Sequence, residues 1–119
     1  MNLPADVVGR ADAVTAMYML HEFGRDGRGK IVEVIRSLQR TFPGKLFLFL
    51  EAPPAKPFEL GAAEQRDHFL LDYLLVHPLS RQGLPRPPEE WASIAEESGC
   101  RDVQCRSLGG ISHMIVARF

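Results

Sequence analysis

A chain of 119 residues with 45% apolar and 24% charged side chains has the make-up of one folded domain, residues 1 to 119. Its formal net charge of −1 leaves no basic footprint for nucleic acid. Cys100 and Cys105 are the two cysteines, in a CxxxxC spacing that suits neither a zinc cluster nor a disulfide framework, so they read as reduced, partly buried thiols of a reducing compartment.

The opening residues, MNLPADVVGRADA, lack the basic and apolar regions of a signal peptide. The apolar run over residues 13 to 20 is too short to span a bilayer, so the expectation is a cytoplasmic protein with no membrane partner. That run, AVTAMYML, is continuous rather than alternating and predicts a strand buried on both faces. His21 and Glu22 follow it, at the head of a glycine-containing loop. Ile31, Val34, Ile35, Leu38 and Phe42 then recur at helical spacing, and Pro43-Gly44 marks the stop. KLFLFLE, residues 45 to 51, predicts a second buried strand that ends on an acid, Glu51.

After a proline-rich loop, residues 67 to 76 predict a helix, and residues 77 to 88 a long loop. Pro87 and Pro88 open the next helix, where a missing N–H costs nothing, Glu89 and Glu90 suit its positive end, and Gly99 closes it. Trp91 reads as its core anchor. RDVQCRS and SHMIVARF flank Gly109-Gly110 as an antiparallel hairpin. Strand, helix, strand, helix, helix, strand, strand implies an α/β fold with a largely parallel sheet and an antiparallel end. Ligands of such sheets sit beyond the carboxyl ends of the strands, where His21, Glu22 and Glu51 fall.

Four motifs occur in order: Leu20-His21-Glu22-Phe23; Pro43-Gly44-Lys45 before a strand ending in Glu51; a helix leading to a loop with His77 and Gly83; and Glu90-Trp91 on a helix running to Gly99. In these motifs, over residues 11 to 119, the chain resembles the C-terminal half of a class I S-adenosylmethionine-dependent methyltransferase. The pattern is that of the small-molecule O-methyltransferases and the α-keto acid C-methyltransferases. The resemblance implies the C-terminal half of a Rossmann-like sheet. His21 would be the general base that deprotonates the acceptor, a task for which an imidazole suits neutral pH. Glu51 would orient His21, Phe23 would cover the adenine, Met17 would lie near the cofactor, and Glu22 would position substrate.

The sequence departs from that family in one respect: no GxGxG cofactor loop is present. The resemblance therefore implies a split enzyme or a fragment, with S-adenosylmethionine bound only in complex with a second chain that carries the N-terminal half. Two doubly buried strands also need neighbours on both sides, which points to the same heteromer. Arg81 and Arg86, with Gln82, stand in the loop before the Glu-Trp helix. Guanidinium groups there suit a carboxylate acceptor such as an α-keto acid. His77 with His21 and Glu51 would make a two-His-one-carboxylate set, so a divalent metal is a second cofactor to test. His68 and His113 carry no signal. The competing reading is a non-catalytic scaffold or regulatory subunit of a partner methyltransferase.

Overall fold

The computed structural model describes residues 4–52, 54, 76, 83, 85–108 and 112–119. In chain order these form α1 (Ala5–Arg10), β1 (Ala13–Met17), α2 (Leu20–Phe23), a 3₁₀ turn (Gly24–Asp26), α3 (Arg28–Thr41), β2 (Leu46–Glu51), α4 (Pro88–Glu97), β3 (Arg101–Ser107) and β4 (His113–Arg118). The expected helix over 67–76, most of the 77–88 loop, His68 and the Gly109-Gly110 turn lie outside the described residues. No helix among the described residues is long and apolar enough to cross a membrane.

The strands form a mixed sheet in the order β1-β2-β4-β3. β1 and β2 run parallel, with Ala13 beside Leu46 and Met17 beside Leu50. β2 pairs antiparallel with β4, and β4 with β3. The two parallel strands and the closing hairpin follow the expected α/β pattern. β2 is central, and its alternation is clear: Phe47, Phe49 and Glu51 are buried, while Leu46, Leu48 and Leu50 are half-buried on the other face.

The run over 13–20 is not, as expected, a single strand buried on both faces. β1 stops at Met17, and Thr15 and Met17 are exposed. The reason is position: among the described residues β1 is an edge strand, paired with β2 alone. Tyr18 then adopts a left-handed conformation, φ 51°, and turns the chain out of the strand. His21 consequently lies in α2 rather than at a strand end. The short α1, with its exposed Asp6–Arg10 pair at 2.9 Å, has no counterpart among the elements expected from sequence.

α3 buries Ile31, Val32 and Ile35 on one stripe. It ends before Pro43-Gly44, where Gly44 takes φ 74°. α4 has Pro88 in its first turn and buries Trp91, Ile94 and Ala95. The two helices are tied by Arg28, which donates to Glu97 at 2.8 Å and to Ser93 at 2.9 Å. Such partly exposed ties contribute about 0.2–1 kcal/mol. The apolar core contributes more, because each large side chain withdrawn from water is worth about 1.5–3 kcal/mol. Phe47 packs against Phe49 and Phe119 at ring-centroid distances of 5.1 and 4.6 Å, and Phe49 meets Trp91 edge-on at 5.7 Å. The thiols divide: Cys100 is buried, which pushes its pKa up to about 11, whereas Cys105 is exposed on β3 rather than partly buried.

Ile35 has no accessible surface and belongs to this core. Ile35→Val is expected to destabilise the chain by about 0.5–1.5 kcal/mol, the cost of one lost methylene in a site that cannot fully collapse. Urea denaturation followed by Trp91 fluorescence checks it, with the midpoint falling and the slope unchanged.

Candidate active site

The carboxyl ends of β1 and β2 lie side by side because the strands are parallel and in register. Just beyond β1, the Tyr18 N–H donates to the Leu50 carbonyl at 2.8 Å. The Tyr18 hydroxyl shares a hydrogen bond with the Ser112 hydroxyl, at the start of β4. These two ties hold a left-handed tyrosine that an isolated peptide would avoid. The turn drops Leu20 and His21 directly over the last residue of β2.

That residue is Glu51, and its side chain has no accessible surface. Its Oε1 accepts the backbone N–H of Leu20 at 2.9 Å and, more weakly, that of His21 at 3.4 Å. Its Oε2 lies 2.7 Å from His21 Nδ1. The carboxylate thus caps the first turn of α2, whose own N-cap, Met19, supplies no side-chain bond. It also sets the imidazole: a carboxylate oxygen accepts, so Nδ1 donates, and the neutral ring carries its lone pair on Nε2. A carboxylate holding Nδ1–H and a basic Nε2 is the arrangement of a general base with its orienting acid.

His113 faces Glu51 in the β2–β4 ladder. It is buried, and among the described residues its Nε2 has no hydrogen-bond partner. Burial holds its pKa below the ordinary histidine value, opposed in part by the nearby charges of Glu51 and Glu89. Gly83 comes close from the loop before α4. A Cβ built there would lie 1.6 Å from the His21 carbonyl oxygen, so any side chain at 83 would displace either the loop or α2.

Of the expected site residues, the structure brings His21 and Glu51 into direct contact. Glu22 is exposed to solvent on the same short helix. Phe23 is half-buried and packs against the hydrophobic core. Met17 is half exposed at the end of β1. Arg86 is ion-paired with Glu90 one turn into α4, with its guanidinium beside Gly24. His77 and Arg81 lie outside the described residues. Among the described residues no group of three His, Cys, Asp or Glu side chains could hold a metal ion.

Three residues of the site escape a reading of the sequence: Tyr18, Ser112 and His113. Alternation in SHMIVARF could have placed His113 on the face of Ile115, Ala117 and Phe119, opposite in kind to a solvent histidine. Nothing in the sequence marks Tyr18 as left-handed.

Gly83→Ala is expected to lower stability by about 1–3 kcal/mol, as overpacking does, and to shift the His21 ring resonances before those of any residue in β3. Denaturant titration and imidazole NMR check both parts. A pH effect follows from His113. Its folded-state pKa is lowered, so near and below pH 6.5 the unfolded chain binds a proton that the folded chain does not. Stability is therefore full above about pH 6.5 and is lost as pH falls toward the folded-state value. Unfolding midpoints of wild type and His113→Gln, measured from about pH 8 to about pH 5, should converge at the acid end.

No protein-family description matches the chain, and no curated protein sequence does. Solved structures do. Human N-acetylserotonin methyltransferase in complex with SAM superposes with a TM-score of 0.64 at 24% identity, over 91% of this chain and 29% of that one. An O-methyltransferase family protein from Burkholderia thailandensis gives 0.60 at 21% identity, over 98% of this chain and 33% of that one. An O-methyltransferase family 2 protein from Planctomyces limnophilus in complex with apigenin gives 0.61 at 15%, over 91% and 30%. This chain spans about a third of the length of each. With its four-stranded sheet and His21–Glu51 end, the chain has the fold of the C-terminal part of the S-adenosylmethionine-dependent O-methyltransferases, the class I methyltransferase fold.

Proposed function

We propose that this chain is the catalytic-base portion of an S-adenosylmethionine-dependent methyltransferase that acts on a small molecule. His21 is the general base and Glu51 its orienting acid. The cofactor's glycine loop is supplied by another segment or chain. The observation that carries the reading is the buried 2.7 Å contact between His21 Nδ1 and Glu51 Oε2 at the carboxyl ends of parallel strands. When bound, the cofactor supplies an electrophilic methyl group. His21 Nε2 takes the proton of the acceptor, and Glu51 supports the positive charge that develops on the ring.

The residues present fit one side of a cofactor site. Met17 and Met19 are exposed by 50% and 42% at the carboxyl end of β1, an apolar surface awaiting cover. Phe23 stands two residues after His21, half-buried on the same short helix. The edge of β1 supports a further strand. Residues 13–17 carry no charge, proline or bulge, the devices that normally protect an edge. The opposite edge, β3, carries Arg101, Asp102 and Arg106 and a register shift between Arg101 and Gln104. A parallel strand from the N-terminal half of such a domain would pair with β1.

An acceptor with a hydroxyl proton is the simplest partner for a histidine base; one structural neighbour is in complex with apigenin, a molecule with hydroxyl groups. An α-keto acid acceptor requires Arg86 to exchange Glu90 for the substrate carboxylate, with Arg81 as the second cation. The scaffold reading has one observation in its favour: His21 has no accessible surface, as befits a purely structural clamp.

His21→Ala in the assembled, full-length protein separates the two. Loss of the base is expected to lower kcat by about two to four orders of magnitude with the Kd for S-adenosylmethionine unchanged. Unchanged turnover, with the variant still folded, returns His21 to a clamp. Calorimetry on the 119-residue chain alone should detect little or no cofactor binding; tight binding would rule out a loop supplied from elsewhere.

A further inference from the structure

We propose that His113 is a positioning residue for the His21–Glu51 pair: a second imidazole that shares the Glu51 carboxylate from the neighbouring strand. The inference deepens the reading of His21 as the base and rests on it for its catalytic meaning. Residues directly opposite in an antiparallel pair project to the same face of the sheet, with Cβ atoms about 4.5–5.5 Å apart. Glu51 and His113 are such a pair, and both are buried on the core face. Glu51 is already committed to His21 Nδ1 and to the α2 backbone.

Among the described residues, the charged and titratable groups facing His113 belong to this end of the sheet. Glu51 approaches from β2 and Glu89 from the first turn of α4. His21, on α2, holds the same carboxylate. The Tyr18 hydroxyl bonds to Ser112, the residue before His113. Two acids favour the imidazolium, but burial disfavours it more, and burial prevails. His113 is therefore neutral near neutral pH, and the carboxylate is left to His21. At lower pH one proton from solvent enters His113. Both its ring nitrogens then carry hydrogens, and a full positive charge stands beside the carboxylate that orients the base. Glu51 is then divided between two imidazoles, and His21 loses part of its hold. The buried Nε2, unpartnered among the described residues, is the mark of this poise. A histidine that merely filled the core would gain nothing from a nitrogen there, since an apolar ring would leave no unpaired group.

The test is nitrogen-15 imidazole NMR against pH on the full-length protein. Wild type, His113→Phe, His113→Asn and Glu51→Gln are compared, with the four histidines assigned by single substitution. In wild type the His21 ring resonances should show a step at the His113 midpoint. In both His113 variants that step should be absent. In Glu51→Gln the His113 midpoint should fall further, because a charge that raises it is gone. The wild-type curve decides the matter even where a variant fails to fold. A wild-type His21 curve with no step at the His113 midpoint, or a His113 midpoint unmoved in folded Glu51→Gln, overturns the proposal. Turnover is a separate readout: an inactive full-length protein with that coupling removes the methyltransferase reading and leaves the shared carboxylate standing.

Discussion

A carboxylate with no contact to water must be satisfied by the protein, and at the end of β2 this requirement organises everything around it. Glu51 can be buried only if several N–H groups converge on it. Two come from the start of α2 and one from the His21 ring. For α2 to present them, the chain must turn abruptly after Met17, which is what the left-handed Tyr18 accomplishes. Tyr18 in turn is held at its backbone by β2 and at its hydroxyl by the start of β4. Replacing the acid would therefore disturb the cap of α2, the orientation of the imidazole and the geometry of the turn together. A site assembled this way is rigid because each member satisfies a group that another member would leave orphaned.

The same constraint separates the two edges of the sheet. β3 is solvated, charged and bulged, a finished edge. β1 is short and uncharged and ends at the exposed Met17, with the exposed Met19 two residues on. The apolar weight of the described residues sits between β2, β4, α3 and α4, where Phe47, Phe49, Trp91 and Ile35 are fully enclosed. That core holds the described elements together. The chain covers about a third of the length of its structural neighbours.

Much of the scaffold was legible in the residues themselves. The 3.6-residue stripe of α3, the apolar run of β2, the prolines that open α4 and the glycine after it are local signals with local causes. Met17 and the run over 13–20 were not, because continuous apolar character cannot distinguish a strand buried on both faces from an edge strand. His113 was legible only in part: alternation along β4 marks it as buried, but the acid it faces is known only once β4 is paired with β2.

The sequence by itself determined the order of β1, α3, β2, α4, β3 and β4 and put His21 and Glu51 near the carboxyl ends of two parallel strands. Periodicity and the βαβ rule need only nearest neighbours along the chain. The tertiary structure alone decided that Glu51 meets His21 through Nδ1, that His113 stands opposite the same acid, and that Gly83 must lack a side chain to pass the His21 carbonyl. Those are contacts between residues far apart in the chain, 30 positions in the case of His21 and Glu51. They depend on strand register and on the path of one turn, and a one-residue slip of β4 would place His113 on the opposite face, away from Glu51.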